Sequence, residues 1–513
     1  MLETALASLR LGSSMMFGWR LSRWSLDTMV EAMRQTYLER GRLGDDSGEL
    51  VSGPALDDDM RRRVQGRRFR RQAIHAARET AYYHSLFERA GIDPAGLGYD
   101  DIPTVPLTPK EALRHDPEAF VCRGARPGQR IASTGTTGWP TAVWFSEDEL
   151  HALGAFAAMA ALVTRRVLPE DVVHVATSSR AQLAVGSTTH AAAALGAAHD
   201  TVGLIPPEQT LRLLASRRHL PGHKPRASVL LTYPSYLGAL VETGLELDYR
   251  PGDFGVERIV LGGEVATAGL FERSRRLLGE TVQFLEGYAM TETVPLAGEA
   301  CTQGHLHYQP LVGFMEVLDL DRRGPARPGE PGVIVATPLP PFRQTTVVLR
   351  YDTGDVVPTF RGPLTCERAE APATGLPLGK LHWCVRHDQG WTFTRDVVEA
   401  LEAVETVPLP ARYGFRAVPG GVAVEVAVRS DTPGTRRRLG EQLEAGGVPL
   451  AELRLVEDPA QLTAPVPLRC DLREATFTGP LDQPGAPASR PTPDRDHLPT
   501  AAGLRAAGRS SRR

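Results

Sequence analysis

The stretch IASTGTTGWPTAVW, residues 131–144, gathers groups able to hold an anion. Ser133, Thr134, Thr136 and Thr137 supply hydroxyls around Gly135 and Gly138, and such a loop can aim several N–H and O–H groups at one oxyanion. The same residue types also make plain surface turns. The choice between a phosphate cradle and a tight turn therefore rests on the rest of the chain. Four further motifs follow in order: TYPSYLGAL (232–240), LGGEVATAG (261–269), EGYAMTET (286–293) and LRYDTGDVV (349–357). Each has an ordinary reading of its own: Glu264 as the cap of the next helix, Asp355 as a turn residue, Tyr233 and Tyr236 as core aromatics. A separate group, Cys301, His305 and His307 in ACTQGHLHY with Cys366 downstream, is either a metal-ligand set or a set of reduced thiols and surface histidines.

These motifs sit at the ends of apolar runs. DVVHVATS, ASVLLTYPS, ERIVLGGE and TVQFLEGYA read as strands, with helices at 206–217 and 266–278 between them. That alternation predicts α/β layers with a largely parallel sheet, whose strand ends are where open sheets keep their ligands. Residues 1–95 are rich in Arg, Glu, Ala and Leu at helical spacing, and RRFRRQAIHAARETAYYHSLFERAG ends on a glycine suited to a C-cap. ALGAFAAMAALV (152–163) reads as a buried helix, and a short helix starts at the Thr-Pro of LTPKEAL. Short strands with Pro/Gly turns predict a small β-rich subdomain at 311–360. A helix at 394–404, a strand at 422–429 and a helix at 434–445 predict a compact α+β module. The expected organisation is a helical region at 1–95, a core at 96–376, the small α+β domain at 377–478 and a disordered tail at 479–513.

The chain has 513 residues and a net charge of −3, which gives no general reason to expect nucleic acid or an acidic membrane surface as partner. No run is long and apolar enough for a membrane span, and MLETALASLRLGSS lacks the basic start of a signal peptide. Five cysteines fit a reducing cytoplasm, the expected location. Lysine occurs only at Lys110, Lys224 and Lys380 among 58 basic residues.

Five motifs in this order resemble the acyl-adenylate-forming superfamily, and within it the phenylacetate–CoA ligase-like branch, over roughly 70–405 and more weakly to 477. The resemblance implies a large adenylate-forming domain with a small mobile α+β C-terminal domain. It also implies a reaction in which a carboxylate attacks the α-phosphate of ATP to give an acyl-adenylate and pyrophosphate. On that basis Ser133, Thr134, Gly135, Thr136, Thr137 and Gly138 would hold the leaving phosphates, with Thr136 and Thr137 the main contacts. Glu292 would hold Mg²⁺, Thr291 would reach the α-phosphate, and Asp355 would accept both ribose hydroxyls. Gly262, Gly263 and Glu264 would line the adenine slot, Tyr288 would stack on the base or close the acyl pocket, and Tyr233 and Tyr236 would line the acid's side. Some members of the branch carry a structural zinc. Here Cys301, His307 and Cys366 match its ligands by position, Arg368 stands where the family has its last cysteine, and His305 or Cys384 would have to complete the set.

Other departures concern the C-terminal module. Relatives carry a lysine near its end that bridges carboxylate and α-phosphate; APVPLRCDLREATF has none, and Arg469 or Arg473 would have to stand in for it. The family hinge corresponds to Gly379-Lys380, followed by LHWC in place of an acidic pair. Three readings follow: first and favoured, a ligase passing its acyl group to an amine or a carrier thiol, as in amide-forming ligases of secondary metabolism; as the alternative, an aryl acyl-CoA ligase with CoA as co-substrate; and lastly a pseudo-ligase that only binds nucleotide. The expected partners are a small carboxylic acid, an aryl acid being favoured, and an amine or thiol acceptor; relatives are often dimers, and the resemblance leaves the homodimer open here.

Overall fold

The computed structural model describes residues 2–44, 47–48, 56–133 and 140–470. The N-terminal region is helical, with α1 (Leu2–Phe17), α2 (Arg23–Arg40), α3 (Asp58–Glu79) and α4 (Ala81–Ala90). The long arginine-rich run is split at Thr80, whose extended backbone ends α3 and whose hydroxyl accepts the Tyr83 N–H to start α4. Gly91, at φ +64°, closes α4 in the left-handed conformation that glycine adopts most easily. The short helix α5 (Lys110–His115) leads to a hairpin of β1 (Gln129–Ala132) and β2 (Ala142–Phe145). The anion-loop stretch joins these two strands, and its residues 134–139 lie outside the described residues.

The hairpin runs into α6 (Glu147–Val163), started by a capping box between Ser146 and Glu149. Strands and helices then alternate as the sequence predicts: β3 (Val172–Ala176), α7 (Gln182–Leu195), β4 (Ala198–Thr201), α8 (Pro207–Ala215), β5 (Val229–Thr232), α9 (Pro234–Glu246), β6 (Arg258–Gly262), α10 (Ala268–Leu278) and β7 (Gln283–Ala289). Beyond β7 come β8 (Ala297–Ala300), β9 (Leu306–Tyr308), β10 (Gly313–Leu318), β11 (Pro331–Pro338), β12 (Tyr351–Pro358), β13 (Ala373–Thr374) and β14 (Gly379–Lys380).

The large sheet has the order β13-β9-β8-β7-β6-β5-β3-β4. It is parallel from β4 through β7 and antiparallel from β7 outward to β13. β3 and β5 are buried along their whole length, as a sheet covered on both faces requires. One face packs Val173, Val175 and Val229 against α6 and α7; the other packs Leu230, Ile259 and Leu261 against α8, α9 and α10. A second, antiparallel sheet, β10-β11-β12-β14, accounts for the Pro/Gly-rich β pattern.

The last part of the described chain contains the hairpin β15 (Val385–His387) and β16 (Gly390–Thr392), then α11 (Thr394–Glu402), β17 (Tyr413–Val418), β18 (Gly421–Ala427), α12 (Pro433–Ala445) and β19 (Leu450–Val456). It has its own core of Val397, Leu401, Val424, Leu439 and Leu443. It docks on α10 through Arg273, which donates to the Val407 and Glu402 carbonyls at 2.8 Å each, and through Thr267, which donates to Glu402 Oε2 at 2.5 Å. A Cβ on Gly269 would lie 2.2 Å from the Glu402 carbonyl oxygen, so α10 and α11 approach backbone to side-chain-free backbone. The expected disordered tail lies outside the described residues.

Candidate active site

The parallel strands end where the motifs begin. The register pairs Gly262 with Gly287, which sets LGGE beside EGYA, and Tyr233 follows directly after β5. A cavity of about 650 Å³ opens there, within the size range of small-molecule sites. Ser133, Tyr233, Gly262, Gly263, Glu264, Tyr288, Thr291, Glu292, Asp355 and Arg469 all line it.

Two carboxylates carry its electrostatics. Glu292 is 1% exposed, and its Oε1 takes both the Tyr351 hydroxyl at 3.1 Å and the Lys110 ammonium at 3.2 Å. Asp355, in β12, holds the Lys380 ammonium at 2.6 Å on Oδ1 and accepts the Tyr288 hydroxyl at 2.9 Å on Oδ2. Pairing of Asp355 with Lys380 between β12 and β14 sets this contact. Burial draws the Lys380 amine below its ordinary range, against the pull of Asp355. Burial and the neighbouring Asp355 hold the Tyr288 phenol well above its ordinary value, so it stays a donor. Tyr351 is raised in the same way by burial and by Glu292.

On the opposite wall Ser133 accepts the Thr141 N–H at 2.9 Å and donates its own N–H to the Thr141 carbonyl, which closes the neck of the anion-loop stretch. Thr134, Gly135, Thr136, Thr137 and Gly138 lie outside the described residues, as does Arg473. Glu264 accepts N–H groups from Ser235 at 2.9 Å and Arg469 at 2.5 Å, so it joins three segments and does not cap α10, a role taken by Thr267. The Arg469 Nε donates to the Gly263 carbonyl, and its guanidinium lies 5.8 Å from the Tyr233 ring. Gly263 has φ +85°, and a Cβ there would meet the Arg469 Nε at 2.6 Å.

Tyr236 requires a correction. It is fully buried under α9, bonded to Thr210 at 2.7 Å and to the Ile205 carbonyl, and does not reach the cavity. Tyr233 is the N-cap of α9 with extended backbone, whereas Tyr236 lies in the first helical turn on the buried face, so of the two tyrosines only Tyr233 lines the site. Lys110 and Lys380 escaped assignment to this site because LTPKEAL reads as a helix start and Gly379-Lys380 as a hinge. The available signal was lysine scarcity: two of the three lysines line one cavity.

Cys301, His305, His307 and Cys366 converge separately, with ligand atoms all within 4.8 Å of one another. Cys366 Sγ lies 3.3 Å from His307 Nε2, and the His305 N–H donates to Cys301 Sγ. Burial, then Arg368, holds the His307 imidazole below its ordinary pKa. Cys384 is elsewhere, donating to the Lys380 carbonyl in a small core with Val333 and Phe393.

Residues 131–337 match the family model of AMP-binding enzymes. The phenylacetate–coenzyme A ligase of Thermus thermophilus is 28% identical over 338 residues, 64% of this chain and 71% of that protein. A 2-hydroxyisobutyryl-CoA ligase in its postadenylation state superposes with a TM-score of 0.65 at 17% identity, over 80% of this chain and 88% of that one. The same ligase in an open conformation with CoA gives 0.57 at 18% identity, over 80% and 90%. At such identities the superpositions speak for the fold. Residues 131–337 are thus an AMP-binding domain, and the chain is a homologue of phenylacetate–CoA ligase with the fold of acyl-CoA ligases. Among the described residues no helix is long and apolar enough to cross a membrane.

Proposed function

We propose that this protein activates a carboxylic acid, an aryl acid being favoured, as its acyl-adenylate and transfers the acyl group to the thiol of coenzyme A. The observation that carries this reading is the pair of carboxylates, Glu292 and Asp355, each held by a lysine on the wall of one cavity beside the anion-loop hairpin. In the first step the acid's carboxylate oxygen bonds to the α-phosphorus of ATP and pyrophosphate leaves. In the second the thiol sulfur bonds to the acyl carbon, its proton is lost and AMP leaves.

Asp355 suits the ribose, because a carboxylate offers about four acceptor sites and its present partners take only two. Glu292 suits Mg²⁺: among the described residues both of its side-chain contacts fall on Oε1, which leaves Oε2 as an oxygen ligand for the ion. A bound magnesium ion would neutralise phosphate charge. Lys110 supplies further positive charge next to it. Ser133 and the residues through Gly138 receive the β- and γ-phosphates, with Thr136 and Thr137 as the main contacts, and Thr291 reaches the α-phosphate. Gly262, Gly263 and Glu264 form the adenine slot, closed at its edge by Arg469; Tyr233 and Tyr288 border the acid. Lys380 and Arg469 are the described cations we assign to the duty of the lysine that relatives carry near the C-terminus, with Arg473 as a further candidate. The four Cys and His donors fit a structural zinc, since tetrahedral Cys/His zinc sites space their ligand atoms roughly 3–4 Å apart.

An amine acceptor is the second reading, favoured by the hinge sequence GKLHWC and by the tight docking of the C-terminal module on α10, because thioester formation in relatives involves movement of that module. Mass spectrometry of the products formed from a competent acid, ATP and either CoA or a panel of amines separates the two. An acyl-CoA product supports the first reading. Amide without thioester overturns it.

A further inference from the structure

The cavity extends well beyond the nucleotide motifs. It follows α6, whose N-terminus springs from the anion-loop hairpin, through Leu153, Ala157 and Ala161. From Leu153 to Ala161 the helix advances about 12 Å, and the short alanine side chains keep that length open. Past the end of α6, Arg166 enters the wall together with Glu299 of β8 and Arg368. The Arg166 guanidinium lies 3.6 Å from Glu299 Oε1, and Arg368 donates to Glu299 Oε2 at 3.2 Å. All three side chains are partly accessible, at 23%, 25% and 31% for Arg166, Glu299 and Arg368. Among the described residues Glu299 is the one side-chain partner of either guanidinium, which leaves most of the ten N–H donors (five on each guanidinium) available.

We infer that Arg166 and Arg368 form a subsite for a second anionic group at the far end of the acid, so that the preferred substrate class is a dicarboxylic acid. The inference rests on the ligase reading above and names its substrate class. Two guanidinium groups against one carboxylate leave one positive charge in an otherwise largely apolar channel, where a planar fork matches a carboxylate in two-point geometry. An acid lacking the distal group would leave those donors without a partner in a cavity it dehydrates, and such mismatches discriminate far more strongly than a lost methylene. Arg368 also occupies the position at which the family's zinc pattern has a cysteine, so the residue that departs from the pattern is one that faces this channel.

The test is acid-dependent pyrophosphate release with matched pairs: 1,4-phenylenediacetate against phenylacetate, and suberate against octanoate. The expected result is a kcat/KM at least about tenfold higher for the diacid of at least one pair, the size of one charge-assisted hydrogen bond. Arg166→Gln should bring the diacid-to-monoacid ratio close to one, whereas Glu299→Gln, which removes the competing carboxylate, should raise it. A purely structural tie between α6 and β8 would not move the ratio in opposite directions. Equilibrium binding of the same pairs by calorimetry keeps the two readings separable. Diacid preference in binding without pyrophosphate release would sink the ligase reading and leave the subsite standing. A monoacid preference in both assays, or a ratio unchanged in Arg166→Gln, overturns the subsite.

Discussion

Replacing Asp355 by Asn tests the ribose assignment and has consequences that can be worked out in advance. The carboxylate now receives Lys380 at 2.6 Å and Tyr288 at 2.9 Å, with side-chain exposures of 11% for Asp355 and 16% for Lys380. Hydrogen bonds to a charged group contribute about 1.5–3 kcal/mol, against about 1 kcal/mol for neutral ones. Losing the charge under two ribose hydroxyls should therefore weaken ATP by about 2 kcal/mol, or roughly 30-fold. Stability should fall as well, because the substitution leaves the Lys380 ammonium poorly paired; since cavity water reaches it, about 1–3 kcal/mol is expected, below the range for fully buried pairs. Lys380→Met in the Asp355→Asn background should return part of that loss. The decisive assay compares KM for ATP and 2′-deoxy-ATP in adenylation. The wild-type protein should prefer ATP by about 10- to 100-fold and the Asn variant by only a few fold. An unchanged ratio would refute the assignment of Asp355 to the ribose.

Further expectations follow from the same geometry. Glu292→Gln keeps the shape and removes the charge next to Lys110, so adenylation should drop by about two orders of magnitude or more with an unchanged circular dichroism spectrum; wild-type turnover would exclude Glu292 from the reaction. Because burial draws the Lys380 amine below its ordinary range, the fold binds this proton less tightly than the unfolded chain does. Raising pH through that lowered value should relieve a stability cost yet abolish the ion pair with Asp355, so adenylation should decline with rising pH before ordinary lysines titrate; Lys380→Arg should move that decline upward, and a profile identical in both proteins would contradict it. Burial pushes the Cys122 and Cys384 thiols up to about 12, so in the folded protein iodoacetamide at pH 8 should spare both; rapid native labelling of either would contradict the packing around it. Purified protein should contain about one zinc per chain, reduced in Cys301→Ser, and a metal-free wild type would remove zinc from the account.

The parallel half of the sheet was legible because β3, β5, β6 and β7 are apolar runs separated by amphipathic helices, and the motif residues follow at their ends. The antiparallel extension was not: β8, β9 and β13 are four residues or fewer, too short for periodicity to register, and are held by pairing across the sheet edge. Glu292 and Asp355 were legible through motif order. Lys110 and Lys380 were not, since nothing local in LTPKEAL or PLGKLHW says which carboxylate each ammonium will meet; β12–β14 pairing decides that for Lys380. Tyr236 shows the converse limit, a motif residue that the turn into α9 directs into the core. Arg166, Glu299 and Arg368 come from three distant segments and share no local signal at all.

If the cavity holding Glu292 and Asp355 makes an acyl-adenylate, the protein must release pyrophosphate from ATP only when a suitable acid is present. The most direct measurement is ATP-dependent pyrophosphate release across mono- and dicarboxylic acids, with hydroxylamine present to trap the activated acyl group. Acid-dependent release with formation of the matching hydroxamate is the expected result. ATP binding with no release and no hydroxamate from any acid, including those shown to bind, would contradict it.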